Sequence, residues 1–177
     1  MLSDLLIRII ESHAEELTLG AVKKLQSSPR TRSYHGLRQD ELYRRVYEVY
    51  HDLGGWLGEK TDHAVRTWYS ELGEKRFQEG IPLGEVLWSL VLIKYHLRDY
   101  VSTSGLADSA IELYRQQELD RLIGQFFDRA VCYTADAYQR EASRAGEDAR
   151  TRAPQRQQGA AGRLCRPDTP GVPIPLV

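Results

Sequence analysis

Apolar residues recur at three- and four-residue steps from Leu2 to about residue 143, and no stretch of the chain shows the strict alternation of a half-buried strand. That periodicity confines the chain to an all-α fold. Leu2, Leu5, Leu6, Ile9, Ile10 and His13 share one helix face, and Val22 and Leu25 mark a short continuation. Ser27-Ser28-Pro29 breaks the pattern, because proline lacks an amide donor and bars the helical geometry before it. The stretch from there to Gly36 reads as a loop.

Four further segments follow. A helix from about Arg38 carries the stripe Leu42, Val46, Val49, Leu53 and Leu57, and Gly54-Gly55 should weaken its last turns. The next, from about Glu59 to Glu79, sets Ala64, Trp68 and Leu72 along one side and places Gly80 to cap its C-terminus. Ile81-Pro82 opens a helix whose stripe is Leu83, Val86, Leu87, Leu90, Val91, Leu97 and Val101. Trp88, Leu92 and Ile93 widen that stripe until little polar surface is left, which predicts burial on most sides, in part against a partner chain. After Ser102-Thr103-Ser104-Gly105, a long helix from about Asp108 to Ala142 alternates steps of four and three through Leu119, Ile123, Phe126, Ala130, Tyr133 and Ala137. The expected architecture is a helical bundle of about six helices over residues 1–142. Residues 143–177, rich in Arg, Gln, Gly and Pro and without periodicity, should form a disordered tail.

Composition narrows function mainly by exclusion. Lys and Arg number 24 against 25 Asp and Glu, a net charge of -1, so bulk charge argues against a nucleic-acid or membrane surface. Two cysteines, Cys132 and Cys165, make no disulfide framework, and Cys132 in a helical pattern reads as a buried structural thiol. With no signal-peptide pattern and no membrane span, the cytoplasm is the expected location. The five histidines (His13, His35, His51, His63 and His96) lack close i, i+3 or i, i+4 partners, so no metal site is expected. No phosphate-binding glycine loop and no HExxH pair occurs. Asp62, Glu71, Glu74, Glu79 and Glu85 interleave with Lys60, Arg66, Lys75 and Arg76 in the manner of a solvated helix surface. No catalytic residue is assigned.

The helix order and the segment Leu72-Gly73-Glu74-Lys75-Arg76-Phe77-Gln78-Glu79-Gly80-Ile81-Pro82 resemble the sensor globins, with Gly73, Gly80 and Pro82 fitting the pattern. The resemblance implies a globin-like bundle in which Arg76 stands at the position of the proximal haem ligand. A guanidinium stays protonated and has no lone pair for iron. Such non-haem globins include the RsbRD-type N-terminal domains, the bacterial RsbT co-antagonists of stressosomes. Gly80-Ile81-Pro82-Leu83-Gly84-Glu85-Val86-Leu87-Trp88 and Leu97-Arg98-Asp99-Tyr100 are similar to that family's central helix.

What the resemblance implies is a non-catalytic, cofactor-free sensory domain that acts as a homodimer and on a regulatory protein partner. Leu87, Val91, Leu119, Ile123, Phe126 and Ala130 are then the candidates for a seam shared by core and dimer. The alternative is a small apolar-ligand module whose pocket is lined by Trp56, Trp68, Tyr69, Phe77, Trp88 and Tyr95. A third possibility is residual haem binding through His63 or His96.

Overall fold

The computed structural model describes residues 2–59, 61–103 and 110–158, and among these every regular element is an α-helix. In chain order they are α1 (Leu2–Ser12), α2 (Ala14–Ser27), α3 (Arg32–His35), α4 (Gln39–Glu59), α5 (Asp62–Gln78), α6 (Leu83–Thr103) and α7 (Ala110–Gln158). The protein is an all-α helical bundle, with seven described helices where the sequence suggested about six. None of them is long and apolar enough to cross a membrane.

The extra elements have local causes. His13, with φ -124° and ψ 19°, leaves helical geometry and separates α1 from α2. The hydrogen bonds from His13 N to Ile9 O (3.1 Å) and from Leu17 N to His13 O (2.9 Å) carry the chain through that kink. The segment expected as loop contains the single turn α3. The Thr31 hydroxyl before it donates to Leu25 O at 2.7 Å, and Tyr34 buries its ring, so tertiary contacts hold a turn that has no periodicity of its own.

Leu6 and Ile10 of α1, Leu17 and Leu25 of α2, and Leu42, Val46 and Leu53 of α4 lie in the same core. Each such side chain removed from water contributes about 1.5–3 kcal/mol before chain entropy is counted. The Gly54-Gly55 pair does not end α4. The Trp68 ring of α5 lies 3.6 Å from where a Cβ on Gly55 would be, so packing across the helix offsets the poor propensity.

α5 turns a different face inward from the one its periodicity suggested. Val65, Tyr69, Gly73 and Arg76 are buried, whereas Ala64, Trp68 and Leu72 are only half-buried. Gly73 is the reason. A Cβ there would lie 2.4 Å from the carbonyl oxygen of Thr134, so only glycine lets α7 approach this closely. On α6, Val86, Leu90, Ile93, Leu97 and Val101 are buried, and Leu87, Trp88, Val91 and Leu92 are half-covered. On α7, Leu119, Ile123, Phe126, Ala130 and Ala137 are buried. Phe126 is the centre of an aromatic group, edge-on to Tyr69 (5.6 Å) and Phe127 (5.3 Å) and tilted against Trp56 (5.8 Å).

By its internal contacts the chain divides into residues 1–142 and 143–177. The expectation of disorder from residue 143 is corrected for its first part: α7 runs on to Gln158, with the side chains of residues 143–151 exposed. This stretch buries no apolar surface, but Ala, Arg and Glu are good helix formers and extend an existing helix at little cost. Residues 159–177, including Cys165 and the proline-rich end, lie outside the described residues.

Candidate functional site in the crevice between α4 and α5

The last turn of α5 ends in a left-handed glycine. Gly80 has φ 71°, its amide bonds to Phe77 O at 3.0 Å, and Ile81 N bonds to Arg76 O at 3.1 Å. This pattern satisfies the terminal carbonyls and fixes the direction in which Arg76 leaves the helix. The Tyr138 hydroxyl donates to Ile81 O at 2.9 Å and holds the turn against α7.

Arg76 is only 4% exposed. Its Nη1 donates to both carboxylate oxygens of Glu79, at 3.0 and 2.9 Å. The same carboxylate receives Arg45 of α4 through Nη1 (2.9 Å) and Nη2 (3.1 Å), and Arg45 also bonds to Glu41 one turn earlier. Burial alone would lower the pKa of Arg45, but Glu41 and Glu79 raise it overall. The Arg45 guanidinium holds the Glu41 carboxyl below its ordinary range. Beside this network the Tyr34 hydroxyl lies 3.2 Å from Ser89 Oγ, and burial pushes Tyr34 up. The space enclosed here among Tyr34, Arg45, Arg76 and Ser89 is about 30 Å³. That suits a water molecule and not a macrocycle, so the residues present do not fit haem.

Toward solvent the crevice widens to a groove of about 260 Å³. Arg45, Glu48 and Asp52 of α4 face Trp68, Tyr69 and Lys75 of α5 across it. Asp52 is raised to about 6 by burial, partly offset by His51 and reinforced by Glu48. Tyr69 is raised by burial and by the Asp52 charge. Among the described residues the Tyr69 hydroxyl has no hydrogen-bond partner.

The sequence-derived candidates fall in several places. Arg76 lies in the crevice and is neutralised by Glu79, which had read as part of a solvated surface. Asp62 and Glu85 are also engaged: Asp62 pairs with Arg129 at 3.0 Å, and Glu85 accepts the Ser33 amide at 2.7 Å. The aromatic set does not line one pocket. Trp56 packs on Phe126 in the core, Phe77 stands edge-on to Tyr138 at 5.3 Å, Trp88 lies beneath Arg30 at 4.3 Å, and Tyr95 is 49% exposed. Only Trp68 and Tyr69 reach the groove. His63 is exposed at the start of α5, and His96 packs against Gly20 of α2 with its pKa lowered by burial; neither lines the crevice. Cys132, expected to be buried, is exposed. Leu119, Ile123, Phe126 and Ala130 are in the core of the protomer, while Leu87 and Val91 remain half-covered.

The residues that sequence reading missed are Arg45, Glu41, Asp52 and Tyr34. Glu41 and Arg45 stand one helical turn apart, a visible signal for a pair, but their union with Glu79 depends on the fold.

A family model described as the RsbT co-antagonist protein rsbRD N-terminal domain covers residues 15–153, from the first turn of α2 into α7. No curated protein and no solved structure matches. With most of the bundle inside that match, the chain belongs to the family of rsbRD-type N-terminal domains of RsbT co-antagonist proteins, regulatory domains of stress signalling.

Proposed function

We propose that this chain is a non-catalytic regulatory domain that works as a homodimer, with α6 as the dimer face, and signals to a protein partner by changing how its helices pack. The observation that carries the reading is the outer side of α6. Its inner side is buried through Val86, Leu90, Ile93 and Leu97, yet Leu87, Trp88, Val91 and Leu92 are only half-covered and Tyr95 is exposed. One helix thus shows apolar side chains on two sides, and the protomer fully buries only one of them.

Membership of a stress-signalling family supports a regulatory role in place of catalysis. The buried positions Leu119, Ile123, Phe126 and Ala130 act as the protomer core against which α6 can shift. A signal would then be a bias between two packings of α6 on that core, which requires a partner or ligand that binds one packing better than the other.

Sedimentation of the purified chain at micromolar concentration tests the reading. The expected species is a dimer, and Val91→Glu should convert it to a folded monomer, since a charge in an apolar interface loses its hydration without a partner. A wild-type chain that sediments as a monomer would remove the dimer from the mechanism.

A further inference from the structure

The groove between α4 and α5 is lined by a half-buried carboxylate and a buried phenol that have no hydrogen-bond partner among the described residues. Asp52 keeps only 23% of its side chain exposed. Among the described residues no hydrogen bond reaches its carboxylate, and the nearest basic side chain is the exposed ring of the adjacent His51 at 4.0 Å. Tyr69 is 1% exposed and its hydroxyl is unpartnered. Asp52 is the charge that bears on that hydroxyl, so the two groups are neighbours. Trp68, half-buried on the same wall, lies across α4 at Gly55. A carboxylate partly withdrawn from water beside an indole forms a setting in which a cation gains both a counter-ion and an aromatic wall.

The surrounding charges decide which kind of ligand fits. Arg45 and Arg76 line the groove but are neutralised by Glu41 and Glu79, so they offer little to an anion. Among the described residues the ion pair of Glu48 is with Arg44, at 3.9 Å on the exposed surface, where water and salt screen the contact. Glu71 and Lys75 both line the groove and carry opposite charges, so together they add no net charge to it. The wall therefore keeps a negative excess centred on Asp52. A metal ion is a poor fit, because no three metal-ligating side chains converge among the described residues. The groove volume of about 260 Å³ suits a small organic molecule.

We propose that this groove binds a small organic ammonium ion, with Asp52 as counter-ion and Trp68 as aromatic wall. Burial has raised Asp52 to about 6, so at neutral pH it is ionised, and a bound cation would lower its pKa again. The site is independent of the dimer reading: titration reports on α4 and α5, and sedimentation on α6.

The test is calorimetric titration and thermal melting of the full chain at neutral pH with two cations, 2-phenylethylammonium and tetramethylammonium. The neutral isostere 2-phenylethanol and matched sodium chloride serve as controls. The ammonium ions should bind and raise the melting temperature, and the alcohol and salt should not. Asp52→Asn should weaken binding about tenfold or more, the loss of one charge-assisted contact. Wild-type affinity should fall as pH drops below about 6, and the Asn variant should lose that dependence. The proposal is overturned if neither cation binds at millimolar concentration, or if the alcohol binds as well as its ammonium counterpart. Both outcomes are read on the unmodified chain, so a variant that failed to fold would not leave the question open.

Discussion

The two ends of the α4–α5 crevice bury polar groups in opposite ways. At the inner end Arg76, Glu79, Arg45 and Glu41 form a closed chain of charge-assisted hydrogen bonds, and Tyr34 meets Ser89 beside it. At the outer end Asp52 and Tyr69 are also withdrawn from water but share no such partners. The first arrangement holds two helices together. The second is a standing free-energy cost, and a fold tolerates one most readily where something else is to bind.

The largest effect should come from breaking the satisfied end. Glu79→Ala leaves two guanidinium groups, Arg76 and Arg45, buried without the carboxylate they share, and should cost about 3 kcal/mol in urea unfolding. Arg76→Met removes one cation while Glu79 keeps Arg45, and should cost only about 1 kcal/mol. Equal losses would mean that the shared carboxylate is not what joins the helices.

The unsatisfied end should respond with the opposite sign. The folded-state pKa of Asp52 lies above its unfolded value, near 6 against 3.8, so the folded chain holds this proton more tightly than the unfolded one. Asp52 therefore opposes folding where it must ionise. The penalty is absent below the ordinary carboxylate range, grows as pH rises to about 6, and is constant above. Asp52→Asn should stabilise the protein by about 2 kcal/mol at neutral pH, after discounting for the part of the side chain that water still reaches. Near pH 4 the two proteins should be nearly alike. A variant less stable than wild type at neutral pH would place Asp52 among the satisfied groups.

The same contrast explains what the sequence could and could not disclose. Helix positions were legible because buried Leu, Ile and Phe, such as Leu53, Ile123 and Phe126, repeat at the helical period whatever their partners are. The face of α5 was misread by one position, because its closest contact is through Gly73, which carries no hydrophobic signal. Position 76 was legible through the family pattern, but the Glu79 carboxylate that it shares with Arg45 lies 34 residues from Arg45 in sequence, and the shared contact exists only once α4 and α5 lie side by side. Asp52 looked like any helix-surface carboxylate. Its burial follows from Trp68 and Tyr69 arriving across the groove, a tertiary event with no local trace.

The smallest expected effect is also the sharpest comparison, because one substitution is made at both ends. Tyr34 and Tyr69 are similarly buried, and each loses only a hydroxyl on conversion to Phe. At Tyr34 the hydroxyl faces Ser89 Oγ at 3.2 Å, so Tyr34→Phe removes a made contact and should cost about 1 kcal/mol. At Tyr69 the hydroxyl has been stripped of water without replacement, so Tyr69→Phe removes only a desolvation penalty and should stabilise by up to about 1 kcal/mol. The ring itself, edge-on to Phe126, is kept in the variant, so packing does not confound the sign. Opposite signs in the two melting curves would show that the buried hydroxyl is satisfied at one end of the crevice and unsatisfied at the other. A loss of equal size at both would mean that the Tyr69 hydroxyl finds a partner in solution, and the contrast between the two ends would then rest on Asp52 alone.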